Sequence, residues 1–132
     1  MATTQEALQV STIIPSLTVD DLQKSIKFYE ALGFVVDERW EEAGTLLGVM
    51  MRAGKNQIGL SQDDWKKGRD RKKGIGVRLF MSTTQNVDDI AKRAKSGGIS
   101  LTSEPHDTEW KTRAFEVTDP TGYLLTIGSE TV

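Results

Sequence analysis

The sequence predicts an α+β fold made from two copies of one unit, in which a strand leads into a helix and then into further strands. A helix signal occupies Val19 to Phe34, and its opening Val-Asp-Asp triplet returns at Val87, 68 positions later in a chain of 132 residues. Apolar and polar residues alternate on both sides of each helix, which is typical of half-buried strands. Self-similarity at about half the chain length indicates a duplicated unit.

The first helix is marked by an apolar stripe and by both of its ends. The stripe recurs at steps of four, three and three residues: Leu22, Ile26, Tyr29 and Leu32. Asp20 is a candidate N-cap with Gln23 three residues later, which is a variant of the capping box. Gly33 can adopt the left-handed conformation that ends a helix. We expect a helix of about three turns that buries Tyr29 and Leu32 in the core.

Alternating segments define the strands. In the first unit they are Ser11 to Val19, Phe34 to Trp40, Thr45 to Met51 and Gln57 to Ser61. In the second unit a strand at Ile75 to Met81 precedes a helix at Asp88 to Ser96, and strands follow at Ile99 to Ser103, Arg113 to Thr118 and Tyr123 to Gly128. Pro15 removes one ladder hydrogen bond, which favours an edge, a bulge or a strand beside a partner chain.

Size and composition indicate one globular domain over residues 1–132. With 37% hydrophobic and 27% charged residues, the chain is long enough to bury a sizeable core. We divide it into module 1 at about 11–61, a linker at 62–74 and module 2 at about 75–129.

Charge and cysteine content restrict the partners and the compartment. The net charge is −2, so no overall positive field attracts nucleic acids or acidic membranes. The chain has no cysteine, which excludes disulfides and fits a reducing compartment. We find no secretory signal and no apolar run of roughly 20 residues. A cytoplasmic protein without nucleic-acid or membrane partners is therefore expected.

Charged side chains dominate the linker at 62–74. Such a run favours a solvated connection between the modules, with a phosphate or nucleic-acid patch as the alternative. Trp65 stands out in this polar segment. We expect its ring to fold back on an apolar surface, where it covers a groove or meets a partner.

Two stretches carry a family resemblance. The first is Val19-Asp-Asp-Leu with Ser25-Ile-Lys-Phe-Tyr-Glu-Ala-Leu-Gly-Phe, and the second is Phe115-Glu-Val-Thr-Asp-Pro-Thr-Gly-Tyr. Together with the internal repeat, they make the chain resemble the vicinal oxygen chelate superfamily, which holds glyoxalase I, bleomycin-resistance proteins, fosfomycin-resistance proteins and extradiol dioxygenases. The resemblance covers about Ile13 to Ile127. It implies two tandem βαβββ modules whose curled mixed sheets surround a cleft.

Metal-dependent members of that superfamily hold a divalent cation with His, Gln or Glu side chains on the cleft faces of the strands. The resemblance places four other residues at those positions: Ile14, Gly59, Gly76 and Thr126. The single histidine, His106, lies between Glu104 and Asp107, where a solvated loop explains these groups better than acid–base chemistry does. We therefore expect no metal and no other cofactor.

Without a metal, the chain is most similar to the bleomycin-resistance-like branch, whose members resemble small dimeric proteins that sequester an aromatic or cationic drug. A mostly apolar groove with a few polar anchors suits a planar ligand of this kind. The candidate ligand-binding residues are Ser16, Ser61, Arg78, Phe80, Trp110, Arg113 and Thr126. Since Val77 and Leu79 belong to the helix-packed side, the Arg78 charge should point into the cleft. We also expect a homodimer.

Several candidates have a purely structural alternative. Phe80 and Phe115 also suit a hydrophobic core, Trp110 suits either role, and Arg78 suits an ion pair within the fold or at a dimer interface. Three functions remain open: a small-molecule binding protein, a glyoxalase-like enzyme of the lyase or dioxygenase class that is metal-independent or has lost activity, and a regulatory or scaffolding domain without a ligand. The missing metal ligands, combined with aromatic and arginine residues at the cleft, favour the binding protein.

Overall fold

A computed structural model describes residues 6–130. Module 1 contains β1 (Ser16–Val19), α1 (Leu22–Leu32), β2 (Val35–Glu42), β3 (Thr45–Ala53) and β4 (Asn56–Gln62). Module 2 contains β5 (Arg78–Thr83), α2 (Val87–Ser96), β6 (Ser103–Asp107), β7 (Arg113–Thr118) and β8 (Leu124–Ser129). The predicted α+β fold of two βαβββ modules is confirmed.

Each module forms one mixed sheet of four strands, in the orders β1-β4-β3-β2 and β5-β8-β7-β6. We call them sheet 1 and sheet 2. The first strand of each module pairs in parallel with the last strand, and the other neighbours are antiparallel. One face of each sheet joins the helices in a single hydrophobic cluster that spans both modules. The opposite faces, which carry no helix, are called the open faces.

The predicted helix α1 is present, but its N-cap is Asp21 rather than Asp20. The Asp21 side chain accepts a hydrogen bond from the amide of Lys24. Gly33 ends the helix in the left-handed conformation, with φ 112°, as its lack of a Cβ allows. The four residues of the apolar stripe are buried as expected: Leu22, Ile26, Tyr29 and Leu32.

The Val-Asp-Asp triplets do not occupy equivalent places. Val19 ends a strand, whereas Val87 is the first residue of α2, whose N-cap is Asn86. Alignment of the two N-caps, Asp21 and Asn86, gives a repeat of 65 residues rather than 68. The duplication was inferred correctly, although the matching letters are shifted by three positions against the structure.

Three strands begin more than two residues away from their predicted starts, and the remaining strands agree with their predicted bounds within two residues. Strand β1 begins at Ser16, so Pro15 precedes it. Strand β5 begins at Arg78 because Gly74–Val77 forms a turn closed by a backbone hydrogen bond of 3.2 Å. Strand β6 lies at Ser103–Asp107 and includes Pro105, which is tolerated because β6 is an edge strand.

Buried polar side chains close one end of the junction between the modules. The Asp119 carboxylate, 3% exposed, accepts the Tyr29 hydroxyl proton at 2.8 Å with Oδ2. Its Oδ1 accepts three backbone N–H groups of its own turn, at Thr121, Gly122 and Tyr123. Burial, followed by the Asp119 charge, raises the pKa of Tyr29, so its hydroxyl remains a donor. The Tyr123 hydroxyl donates to the Thr18 carbonyl of module 1 at 3.0 Å.

The linker at 62–74 packs against this same end of the junction. Our prediction of a solvated connection is therefore wrong for Asp63 and Lys73, near the start and the finish of the linker, whose side chains are buried. The Lys73 ammonium pairs with Asp20 and lies 2.8 Å from Asp63 Oδ2, and the Lys73 and Asp63 side chains are only 3% and 2% exposed. The hydrogen bond with Lys73 is the main cause that lowers the pKa of Asp63. Two cations lie close to the Trp65 ring, with Arg69 Cζ 5.0 Å and Lys73 Nζ 4.9 Å from the ring centroid. We call this region the closed end of the junction.

Candidate functional site

The alternation of side chains along the strands determines which residues project from the open face of sheet 2. Arg78 lies beside Leu124 and Phe80 lies beside Thr126 across the β5–β8 pair. Thr126 in turn lies beside Glu116 across the β7–β8 pair. Because neighbouring residues in register project to the same side of a sheet, the structure brings Arg78, Phe80 and Thr126 together on this face.

A polar contact crosses the open face of sheet 2. Arg78 Nη2 lies 3.5 Å from Glu116 Oε2, and the Thr126 hydroxyl donates to the same oxygen at 3.3 Å. The Arg78 and Glu116 side chains are 55% and 26% exposed, so solvent weakens this ion pair and either charge can exchange its partner. Glu116 was missed in the sequence analysis. Its position between Phe115 and Val117 in an alternating strand was the signal that could have identified it.

Phe80 is the aromatic residue of this face. Its side chain is 69% exposed, so it does not belong to the core, which was the structural alternative for this residue. Phe115, in contrast, is fully buried. An exposed phenylalanine on a strand beside an arginine presents stacking surface that a planar molecule can cover.

The open face of sheet 1 carries the two candidate serines. Ser16 lies beside Gly59, and Ser61 is both two residues further along β4 and opposite Gly48 of β3. A Cβ at Gly48 would lie 3.2 Å from the Trp40 ring, so this ring, 45% exposed, lies over the glycine. The serines therefore share a face with an exposed indole.

Trp110 lies in the loop between β6 and β7 and is 68% exposed. Its amide donates to the Thr108 hydroxyl at 3.2 Å, which fixes the backbone of the loop. Its exposure excludes a core role and leaves the ring accessible to solvent.

Arg113 is the candidate that the structure separates from the others. It alternates in phase with Phe115 and Val117 and thus projects from the helix-packed side of β7. Its guanidinium binds both carboxylate oxygens of Asp88, at 2.7 and 3.0 Å, and Asp107 at 3.1 Å. The hydrogen bond with Arg113 is the main cause that lowers the pKa of Asp88. Arg113 connects β7, α2 and β6, which favours a structural role for this residue over ligand binding.

The residues at the family's metal positions do not fit a divalent cation. Gly59 and Gly76 have no side-chain donor, and Gly76 precedes β5 rather than lying on it. Ile14 is aliphatic, and the Thr126 hydroxyl already donates to Glu116. Within residues 6–130, no cluster of three His, Cys, Asp or Glu side chains could hold a metal. His106 has Nδ1 2.9 Å from the Glu104 carbonyl, a local contact of its own strand.

Solved structures share this fold. A bleomycin-binding protein complexed with bleomycin is 18% identical with a TM-score of 0.66, and the match covers 92% of this chain and 99% of that protein. TioX from Micromonospora sp. ML1 is 17% identical with a TM-score of 0.73 over 91% and 98% of the two chains. Lactoylglutathione lyase from Agrobacterium tumefaciens is 18% identical with a TM-score of 0.67 over 92% and 96%. At these identities the likeness establishes the fold alone.

The family of the chain is established by its sequence. No curated protein sequence matches the chain. Among the described residues, no helix combines the length and the hydropathy needed to cross a membrane. The sequence profile of the Glyoxalase/Bleomycin resistance protein/Dioxygenase superfamily matches residues 9–127, which is most of the chain. The protein therefore belongs to the glyoxalase/bleomycin resistance protein/dioxygenase superfamily.

Proposed function

We propose that this protein binds a planar, aromatic small molecule on the open face of sheet 2 and acts by sequestration, without a metal or another cofactor. The observation that supports this proposal most is the exposed Phe80 ring on the same face as the Arg78–Glu116 pair. Stacking on the ring supplies affinity, and the charge pair selects the polar groups of the ligand.

The charge pair makes the proposed site adaptable. A half-exposed ion pair contributes little to stability, so separating it for a ligand costs little. A ligand carboxylate can bind Arg78, and a ligand cation can bind Glu116. The Thr126 hydroxyl donates to the Glu116 oxygen that faces Arg78, which helps to hold this carboxylate in place.

A homodimer is part of the proposal. Several large apolar residues of both modules are exposed to solvent: Ile14 42%, Val35 57%, Trp40 45%, Leu47 42%, Phe80 69% and Trp110 68%. Exposed apolar surface of this extent favours association, and a second copy of the chain is the simplest symmetric partner. Light scattering should give about twice the monomer mass of 14.6 kDa; a monomer mass at micromolar concentration would contradict the dimer. We place this dimer in the cytoplasm.

Binding can be tested with a ligand screen and two alanine variants. We expect an aromatic ligand from a panel of glycopeptides, aromatic antibiotics and quinone-like compounds to change the tryptophan fluorescence. Phe80→Ala should weaken its binding about tenfold, since ring stacking contributes roughly 0.5 to 1.5 kcal/mol beyond buried area. Ile75→Ala is the matched control, because Ile75 is equally exposed at 76% but precedes the strand. Equal affinities of the two variants, or no binder in the panel, would refute the proposal.

A glyoxalase-like enzyme of the lyase or dioxygenase class, metal-independent or inactive, is the second candidate. One observation favours it, namely a partly buried carboxylate, Glu116, on the open face beside Arg78. Turnover of a screened ligand that persists in chelator and is lost in Glu116→Gln would establish the enzyme. Binding without turnover would leave the sequestering protein as the function.

A further inference from the structure

A groove of about 1130 Å³ lies at the end of the module junction opposite the closed end. We call it the inter-module groove. It is bounded by the end of α1, the β3–β4 hairpin, strand β5 with its following loop, and α2. Its lining includes Leu32, Phe34, Ile58, Met81, Ile90 and Arg93. Its volume is slightly above the range of about 300 to 1,000 Å³ that is typical of sites for small organic ligands.

The floor of the groove consists of core side chains. Leu32, Phe34 and Ile58 line it and belong to the hydrophobic cluster of both modules. Met81 and Ile90 line it as well, and both are only partly buried. Leu32, Phe34 and Ile58 are only 8%, 7% and 5% exposed. The apolar surface that the groove presents to solvent therefore comes mainly from Met81, Ile90 and Phe80. An apolar molecule in it would remove this surface from water, which contributes roughly 25 cal/mol per Å².

The charges at the groove favour an anion. Arg93 and Lys55 both line it, and neither forms an ion pair within residues 6–130. Arg93 Nη1 lies 3.4 Å from the position that a Cβ at Gly33 would take, so the guanidinium lies against the end of α1. Glu130 is the acidic residue of the lining, which leaves a net charge of one positive unit on the lining residues.

We propose that the inter-module groove binds an elongated amphipathic carboxylate, such as a free medium-chain fatty acid. The carboxylate is bound by Arg93 and Lys55, and the hydrocarbon body lies along Leu32, Phe34 and Met81. Charge-assisted hydrogen bonds to an arginine are strong and suit a carboxylate. Phe80 lines this groove as well as the open face of sheet 2, whereas Arg78, Glu116 and Thr126 do not line it, so the proposed carboxylate site does not depend on the function proposed above.

Calorimetric titration with decanoate and with 1-decanol tests the proposal. We expect the wild-type protein to bind decanoate saturably at neutral pH and to bind the uncharged alcohol more weakly. Arg93→Gln should weaken decanoate binding about tenfold, which corresponds to 1.4 kcal/mol, and leave decanol binding unchanged. Lys92→Gln is the matched control, because it removes the neighbouring exposed charge of α2, which does not line the groove. Glu130→Gln should tighten decanoate binding.

Filling the groove provides a second, independent test. Ile90→Trp or Ala53→Phe should abolish binding of both ligands, and thermal melts identify any variant that fails to fold. Arg78→Ala should leave decanoate binding unchanged, which distinguishes the groove from the open face, because Arg78 lies on that face and does not line the groove.

Several outcomes would overturn the proposal. They are the absence of saturable decanoate binding up to millimolar concentration, equal affinities in Arg93→Gln and Lys92→Gln, and loss of binding in Arg78→Ala. Binding that emerges only after deletion of residues 1–12 would also overturn it, because the groove would then belong to the chain's own amino-terminal segment.

Discussion

The two ends of the module junction show how a duplicated fold becomes asymmetric. Both ends are built in the same way, from a β-hairpin of one module near the helix of the other. At the closed end, the β7–β8 hairpin carries Asp119 and Tyr123, whose side chains bond to α1 and β1. At the other end, the β3–β4 hairpin carries Ala53, Gly54 and Lys55, and among the described residues it forms no hydrogen bond to α2. Two short turns therefore decide which end is filled and which end remains a groove.

The largest expected effect comes from breaking the closed end. Asp119→Ala should lower the free energy of unfolding by about 3 kcal/mol, because it leaves the buried Tyr29 hydroxyl and three turn amides without their acceptor. Urea unfolding followed by circular dichroism measures the change. Lys55→Ala, in the β3–β4 hairpin at the inter-module groove, is the control and should change the free energy of unfolding by less than about 0.5 kcal/mol. Similar losses in the two variants would contradict the difference between the ends.

The helix contact between the two ends should be the next most sensitive. A Cβ at Gly97 would lie 2.6 Å from Ala31 Cβ, and Gly97 has an ordinary φ of −84°, so the conflict is purely steric. Gly97→Ala should cost about 1 to 3 kcal/mol by overpacking. Adding Ala31→Gly should recover part of the loss in thermal unfolding. A double variant no more stable than Gly97→Ala would show that α1 and α2 do not meet there.

Acid should weaken the closed end through Asp63. Its pKa is lowered in the fold, so its contribution is present above the unfolded value of about 3.9 and is lost as the pH falls through the folded value. Asp63→Asn should therefore show a shallower loss of stability between neutral pH and pH values below about 4. Asp64→Asn, whose carboxylate is 65% exposed, should keep the wild-type dependence. Parallel pH profiles for all three proteins would refute this role.

The smallest expected effects are those that distinguish the role of Arg113 from the role of Arg78. Arg113→Ala should lower the Tm and leave the affinity for an open-face ligand unchanged within about twofold, since Arg113 binds Asp88 and Asp107 away from that face. Arg78→Ala should keep the Tm and weaken only anionic ligands. Differential scanning fluorimetry and titration of both variants provide the two readouts. An unchanged Tm with lost binding in Arg113→Ala would return Arg113 to the site.

Local sequence patterns were sufficient to predict most of the fold. The apolar stripe of α1, the left-handed Gly33 and the alternating strands are local signals, and each depends on neighbours a few residues apart. The same alternation placed Arg78, Phe80 and Thr126 on one face, because side chains of a strand project to opposite sides in turn. Applied to β7, the same alternation would also have placed Glu116 on the open face and Arg113 on the helix-packed side.

The sequence by itself determined the duplication and the α+β class. Only the tertiary structure decided which end of the junction is closed, because Asp119, Tyr29 and Lys73 are far apart in the chain and their contacts depend on how the modules pack. The charged linker is the clearest case. Its composition is that of a solvated segment, yet Asp63 and Lys73 are buried, since the fold places a partner of opposite charge next to each of them.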